Sequence, residues 1–300
     1  MALMKPPRSG VRVRMYNPGF GDCFLLAFRG PDKKTVYVMI DCGVHGSFKG
    51  GSDQIREVLR DIRGATGGKI DLIVVTHEHA DHVSGFYLGR EIFAGEDHRG
   101  RKDPDGGIEV EQVWFGWTEN PRSRKAKRLD KVKKLLLQGL YAAPQAMSAD
   151  ENNSVRSMLG FYAMDTGSKR ERQLPLGADV FGVSTREARE KLRLHAKKST
   201  YLKPKQAPIS IPGVDKVRVF VLGPPEDEKF LLSPNPTGEE GEVFEGEEGH
   251  ALRFDNEEAL VAGLAAAGRV PAAAGDTPSS ERYQPFSGNH RRHLDKVRAR

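Results

Sequence analysis

The chain has 300 residues, of which 38% are hydrophobic and 29% charged, enough apolar material for one large domain or two small ones. No apolar run reaches the ~18 residues of a membrane-spanning helix, so no membrane partner is expected, and the N-terminal MALMKPPRSG lacks the apolar stretch of a secretory leader. Two cysteines, Cys23 and Cys42, are too few for a disulfide framework in a chain this long and point to a reducing, cytoplasmic setting. The net charge of +6 admits a nucleic acid or another anionic partner without demanding one. The excess Lys and Arg concentrates at 122–134 and 189–205, which read as basic helix faces, whereas 226–248 is acidic and rich in Gly and Pro.

Val11, Val13 and Met15 alternate with arginines, the pattern of a strand with one buried face. A turn at Asn17–Gly21, an apolar run from Cys23 to Phe28, a turn at Gly30–Asp32 and a strand from Val36 to Asp41 predict an antiparallel meander. Ile55, Val58, Leu59 and Ile62 then take helical spacing, with Ser52 or Asp53 as the expected cap and Gly64 as the expected end. A wholly apolar strand, Leu72–Val75, runs straight into Thr76-His-Glu-His-Ala-Asp-His82.

Further on, 108–114 predicts a strand, 123–142, 151–163 and 185–195 predict helices, and 217–222 predicts a buried strand. One more helix is expected over 256–267, while 226–250 and 268–290 carry few apolar residues and read as irregular chain. Trp114 and Trp117 read as core side chains rather than the lining of a cleft. The expected organisation is one domain over 1–225 with a helical insertion about 120–205, then an acidic linker and a basic, partly disordered tail over 226–300. Strands 11–15, 23–28, 36–41, 72–75, 108–114 and 217–222 are expected to share one sheet.

The chemistry concentrates in residues 77–82. Divalent zinc favours imidazole nitrogen and carboxylate oxygen. On a turn leaving a buried strand, His77 and His79 point the same way and can reach one metal together. Asp81 and His82 open the next helix and can reach a second beside it. Two metals ~3.5–4 Å apart can share a hydroxide that is a strong nucleophile at neutral pH.

Thr76-His-Glu-His-Ala-Asp-His-Val-Ser-Gly85 resembles the hallmark motif of the metallo-β-lactamase fold. Gly19-Phe-Gly-Asp-Cys-Phe-Leu-Leu26 is similar to the glycine-rich turn of its ComEC-like, DNA-uptake branch, and Val38-Met-Ile-Asp-Cys-Gly43 to the family's first motif. The resemblance covers about residues 11–90. It implies an α/β, four-layer αββα sandwich with a metal site at one edge, and a hydrolase of esters, thioesters, lactams, phosphodiesters or nucleic acids. It further implies that His77, His79, Asp81 and His82 are metal ligands, that Asp81 and His82 take part in catalysis, and that Asp41 and Asp22 support the site.

The family also uses a third-motif histidine, a bridging aspartate after a later strand and a final histidine. His98, His195 and His250 read as surface histidines. The late Gly275-Asp276 pair makes Asp276 a weak candidate for the bridge, since Pro271 and small side chains precede it. His290 and His293 are weak candidates for the last ligand. Asn152-Asn153-Ser154 is similar to a late motif of the branch, but a helical pattern follows, which makes Ser154 a helix cap. Two accounts of the missing ligands are open: the chain is the front part of a longer protein, which leaves the second half of the sandwich incomplete, or it is a complete but divergent or degenerate member that binds one metal or none.

The expected function is zinc-dependent hydrolysis with one or two ions, manganese or iron being the other candidates. Phosphodiesters or nucleic acids come first as substrates. The alternatives are a non-catalytic module that binds nucleic acid or another anion, and a small-molecule ester, lactone or lactam hydrolase.

Overall fold

The structure, a computed structural model, describes residues 2–46, 48–96, 101–131, 133 and 185–227. Strands β1 (Val11–Met15), β2 (Cys23–Arg29) and β3 (Thr35–Cys42) form the antiparallel meander that the turn spacing predicts. Helix α1 (Gly51–Thr66) carries the chain back, so that β5 (Leu72–Val74) joins β3 in parallel. Three short helices, α2 (Ala80–Val83), α3 (Gly85–Leu88) and α4 (Arg90–Phe93), precede β7 (Gln112–Gly116), which pairs parallel to β5. Helix α5 (Thr185–His195) leads into β8 (Lys198–Leu202), parallel to β7. The result is a six-stranded sheet in the order β1-β2-β3-β5-β7-β8. The dyad β4 (Lys69–Ile70) and β6 (Glu109–Val110) pairs just ahead of β5 and β7. Because β3, β5, β7 and β8 run the same way, their carboxyl ends share one edge, the edge where α/β sheets gather binding loops.

The helices cover one face. Ile55, Leu59 and Ile62 of α1, Phe86 of α3, Phe93 of α4 and Leu192 of α5 share a core with Met39, Ile73 and Val113 of the sheet. Each large aliphatic or aromatic side chain buried this way contributes about 1.5–3 kcal/mol. The helix itself is longer than its expected punctuation. Ser52 and Asp53 lie inside it after Gly50, Gly64 is internal, and Gly67 ends it at φ 66° with its N–H on the Arg63 carbonyl.

On the other face, Val38, Leu72 and Trp114 pack with Ile211 and Val214, and with partly buried Ile209 and Val219 of a small second sheet, β9 (Ile209–Ser210) and β10 (Arg218–Val219). The described residues thus build a mixed α/β fold of helices, main sheet and small second sheet, three layers of the expected four. No helix among them is long and apolar enough to cross a membrane.

Four further expectations need correction. The sixth strand of the main sheet is Lys198–Leu202, not 217–222. The β7 edge is open for pairing there, and Thr200 accepts a 2.9 Å bond from Gln112 Nε2. Of 217–222 only Arg218–Val219 pairs, and Phe220 and Leu222 are 64% and 90% exposed. The basic stretch 189–205 is therefore a helix end followed by a strand, not one helix. β1 has no buried face: Val13 and Met15 stay exposed because β1 is the sheet edge and the small second sheet covers the centre. His195 is not a surface histidine; it is half-buried, with Nε2 2.7 Å from the Ile108 carbonyl and its ring against Phe93. Trp114 and Trp117 are both buried, as expected, and Trp117 Nε1 donates to the Pro224 carbonyl at 2.8 Å. Residues 124–131 are helical, within the predicted 123–142. The rest of that helix, the helices at 151–163 and 256–267, Ser154 and the tail from 228 onward lie outside the described residues.

Candidate metal centre

The site is built where three glycines let backbones touch. A Cβ on Gly43 would lie 2.4 Å from both the Ala80 carbonyl oxygen and the His82 nitrogen. One on Gly21 would lie 2.3 Å from the Gly43 oxygen, and one on Gly85 2.7 Å from the Cys42 oxygen. With hydrogens there instead, α2 presses onto the ends of β2 and β3. Asp22 N–H donates to the Asp81 carbonyl at 2.9 Å, and Ser84 Oγ bridges the Val44 N–H and carbonyl.

Asp41 occupies the end of β3 at φ 53°, a left-handed conformation that Asp tolerates better than branched residues. That turn aims its carboxylate inward, where it is 2% exposed. Oδ1 accepts the Thr76 N–H at 2.8 Å, and Oδ2 accepts the Thr76 hydroxyl at 2.6 Å and faces His82 Nδ1 at 2.9 Å. Thr76 Oγ1 also lies 3.0 Å from His77 Nδ1. Asp41 therefore ties the chain that leaves β5 to the helix after the histidines.

Three imidazoles converge: the His77 ring is 4.7 Å from that of His79 and 3.8 Å from that of His82, centroid to centroid. Asp81 Oδ2 is 3.4 Å from His82 Nε2, and Asp22 Oδ2 is 3.9 Å from His82 Nδ1. The sequence-predicted residues His77, His79, Asp81, His82, Asp41 and Asp22 thus come together at one sheet edge. His98, His250, Asp276, His290 and His293 lie outside the described residues.

The electrostatics divide the histidines. Burial lowers the pKa of His79 to about 4, helped by the positive field of His77 and His82. His77, whose ring is desolvated by its neighbours while one side reaches solvent, is lowered for the same reason and by the charge of His82. Burial also opposes the charge on His82, but hydrogen bonds to Asp41 and Asp81 outweigh it and raise the pKa to about 9. Asp81 is buried, which favours its neutral form, yet the His82 bond and charge win and lower its pKa.

Three further residues shape the site. Thr76 opens the histidine motif, but nothing in the sequence assigns it the contacts it makes with Asp41. His45 is buried near enough to His79 to depress it further, and nothing in its local sequence marks it. Glu78 turns away from the histidines into ion pairs with Lys133 and Arg189. The one available signal for Glu78 was alternation: between two histidines on one side of an extended chain, it faces the other.

A divalent metal fits these residues. Asp22, Asp41 and His82 each offer a ligand atom, all within 4.8 Å of one another. Asp81 Oδ1 is buried with no hydrogen-bond partner among the described residues, a cost that a cation would remove. Imidazole and carboxylate donors suit zinc and neighbouring first-row ions. None of the curated proteins and none of the solved structures compared with the chain matches it. Its front part does find a family: residues 16–105, which hold β2, β3, α1 and every residue of this site, match the model of the metallo-beta-lactamase superfamily.

Proposed function

We propose that the protein is a metal-dependent hydrolase, with zinc as the ion and a phosphodiester, nucleic acid first, as the substrate. The observation that carries it is the convergence of His77, His79, Asp81 and His82 over the Asp41 carboxylate. His77 and His79 would hold one metal position, and Asp81 and His82 a second, with Asp22 at its border. A metal bound there supplies Lewis acidity and a lowered pKa for water.

The chain's own residues supply the rest. Asp41 orients the His82 ring by accepting Nδ1–H, which leaves Nε2 directed toward Asp81. Asp81, kept in its charged form by His82, would accept the proton of the attacking water. The phosphodiester preference draws support from the net charge of +6 and from exposed Arg122, Arg124, Lys127, Arg128 and Lys131. The likeness of Gly19–Leu26 to the DNA-uptake branch adds to it.

Zinc-loaded protein screened against bis-p-nitrophenyl phosphate, nitrocefin and a lactone tests this. Turnover of the phosphodiester, lost in His77→Ala, is the expected result. Turnover of nitrocefin or the lactone alone would overturn the substrate, and a protein that retains no metal would overturn the class. The exposed cations at 122–131 favour one second reading, a non-catalytic module that binds nucleic acid. It gains if no substrate turns over while DNA binds with a steep salt dependence that His77→Ala/His79→Ala leaves unchanged.

A further inference from the structure

Glu78 stands between His77 and His79 on the segment that links β5 to α2, whose backbone is extended at His79. Its side chain is only 12% accessible. A carboxylate this far from water costs several kcal/mol unless paired. Both of its oxygens are paired: Oε1 with Lys133 Nζ, and Oε2 with Arg189 Nη1. Arg189 itself is 14% accessible, and the same nitrogen also meets Glu119, which follows β7 and is 10% accessible. Two cations and two anions from four separate segments thus form a neutral cluster around Glu78, in which Lys133, at 30% accessible, is the one member that reaches solvent.

The anchor of this network is rigid. Arg189 projects from α5, and its neighbours Ala188 and Leu192 are fully buried in the helix-side core. Exposed pairs such as Arg60–Glu57, at 50% and 76% accessible, hold nothing by comparison. Successive Cα–Cβ bonds of an extended chain point to opposite sides, so anchoring Glu78 on one side restrains the backbone that aims His77 and His79 to the other.

We propose that Arg189 is a positioning residue for the metal centre, acting through Glu78 to hold His77 and His79 in their ligating orientation. The inference rests on the metal-centre reading above. A purely structural ion pair would also join α5 to the sheet edge, so the test must read the metal as well as the fold.

Zinc affinity by competition with a chromophoric chelator, the visible spectrum of the cobalt form and the thermal midpoint are measured on the full chain and its variants. Arg189→Gln and Glu78→Gln are each expected to weaken zinc about tenfold or more and to change the cobalt spectrum. The double variant is expected to be no weaker than the worse single one, because both act through one contact. Arg189→Lys is expected to recover part of the affinity. Folded variants with wild-type affinity and spectrum, or losses that add in the double variant, would overturn the inference alone. If Arg189→Gln does not fold, Glu78→Gln decides by itself, and wild-type affinity there overturns it. A wild-type protein that binds no metal removes the underlying reading with it.

Discussion

Asp41 Oδ2 lies 2.9 Å from His82 Nδ1, although 41 residues separate them in sequence. The contact closes the site from beneath. It uses the left-handed turn at the end of β3 to hold the imidazole by one nitrogen, which fixes which face of the ring meets Asp81. The same carboxylate holds the Thr76 N–H and hydroxyl, so a single side chain sets the start of the histidine run and its last member.

Replacing Asp41 by Asn keeps the size of the side chain and its tolerance of φ 53°. It turns one acceptor oxygen into a donor that faces other donors. The expected cost is about 1–3 kcal/mol of stability, together with weaker metal binding as His82 loses its orientation. Urea denaturation with and without zinc checks both. Unchanged stability would show that Thr76 and His82 find other partners.

Metal-free protein is expected to be most stable near pH 6.5. His82 is raised from 6.5 to about 9, so its contribution is complete below pH 6.5 and declines as pH rises toward 9. His79 is lowered from 6.5 to about 4, so the unfolded chain binds more protons between those values and stability declines as pH falls below 6.5. The lowered pKa of Asp81 adds to the acid-side loss. Lys133, lowered by burial to about 8, acts in the opposite sense above that pH. Urea midpoints in EDTA from pH 4 to 8 test the profile. His82→Gln should flatten its alkaline limb, and a midpoint that rises from pH 6.5 to 8 would contradict it.

Gly43→Ala is expected to damage both fold and site. Its Cβ would meet backbone atoms of Ala80 and His82 at 2.4 Å, which have no flexible end to swing aside. Overpacking of this kind costs about 1–3 kcal/mol, and relief requires α2 to lift from β3, taking Asp81 and His82 away from Asp41. The measurement is the thermal midpoint with zinc stoichiometry. A variant that keeps both would mean that the contact between α2 and β3 relaxes freely.

The meander, α1, β5 and the histidine run were all legible in the sequence. They are local patterns: apolar runs between turns in β2 and β3, a helical apolar stripe at Ile55, Val58, Leu59 and Ile62, and four ligand-type side chains within six residues at 77–82. What each strand pairs with was not legible. Lys198–Leu202 is short and polar-ended, and becomes a strand because β7 presents an open edge, whereas the more apolar 217–222 has only Ile209–Ser210 to pair with. The exposure of β1 was likewise decided by what reaches the sheet edge, which no residue of β1 encodes. The support of the site was decided the same way. Asp41 meets His82, and Glu78 meets Arg189 and Lys133, across 41, 111 and 55 residues, because parallel strands bring their carboxyl ends to one edge. Local sequence specifies side-chain chemistry and backbone preference. Contacts between distant segments depend on the burial and pairing of the whole sheet, and these only the tertiary structure sets.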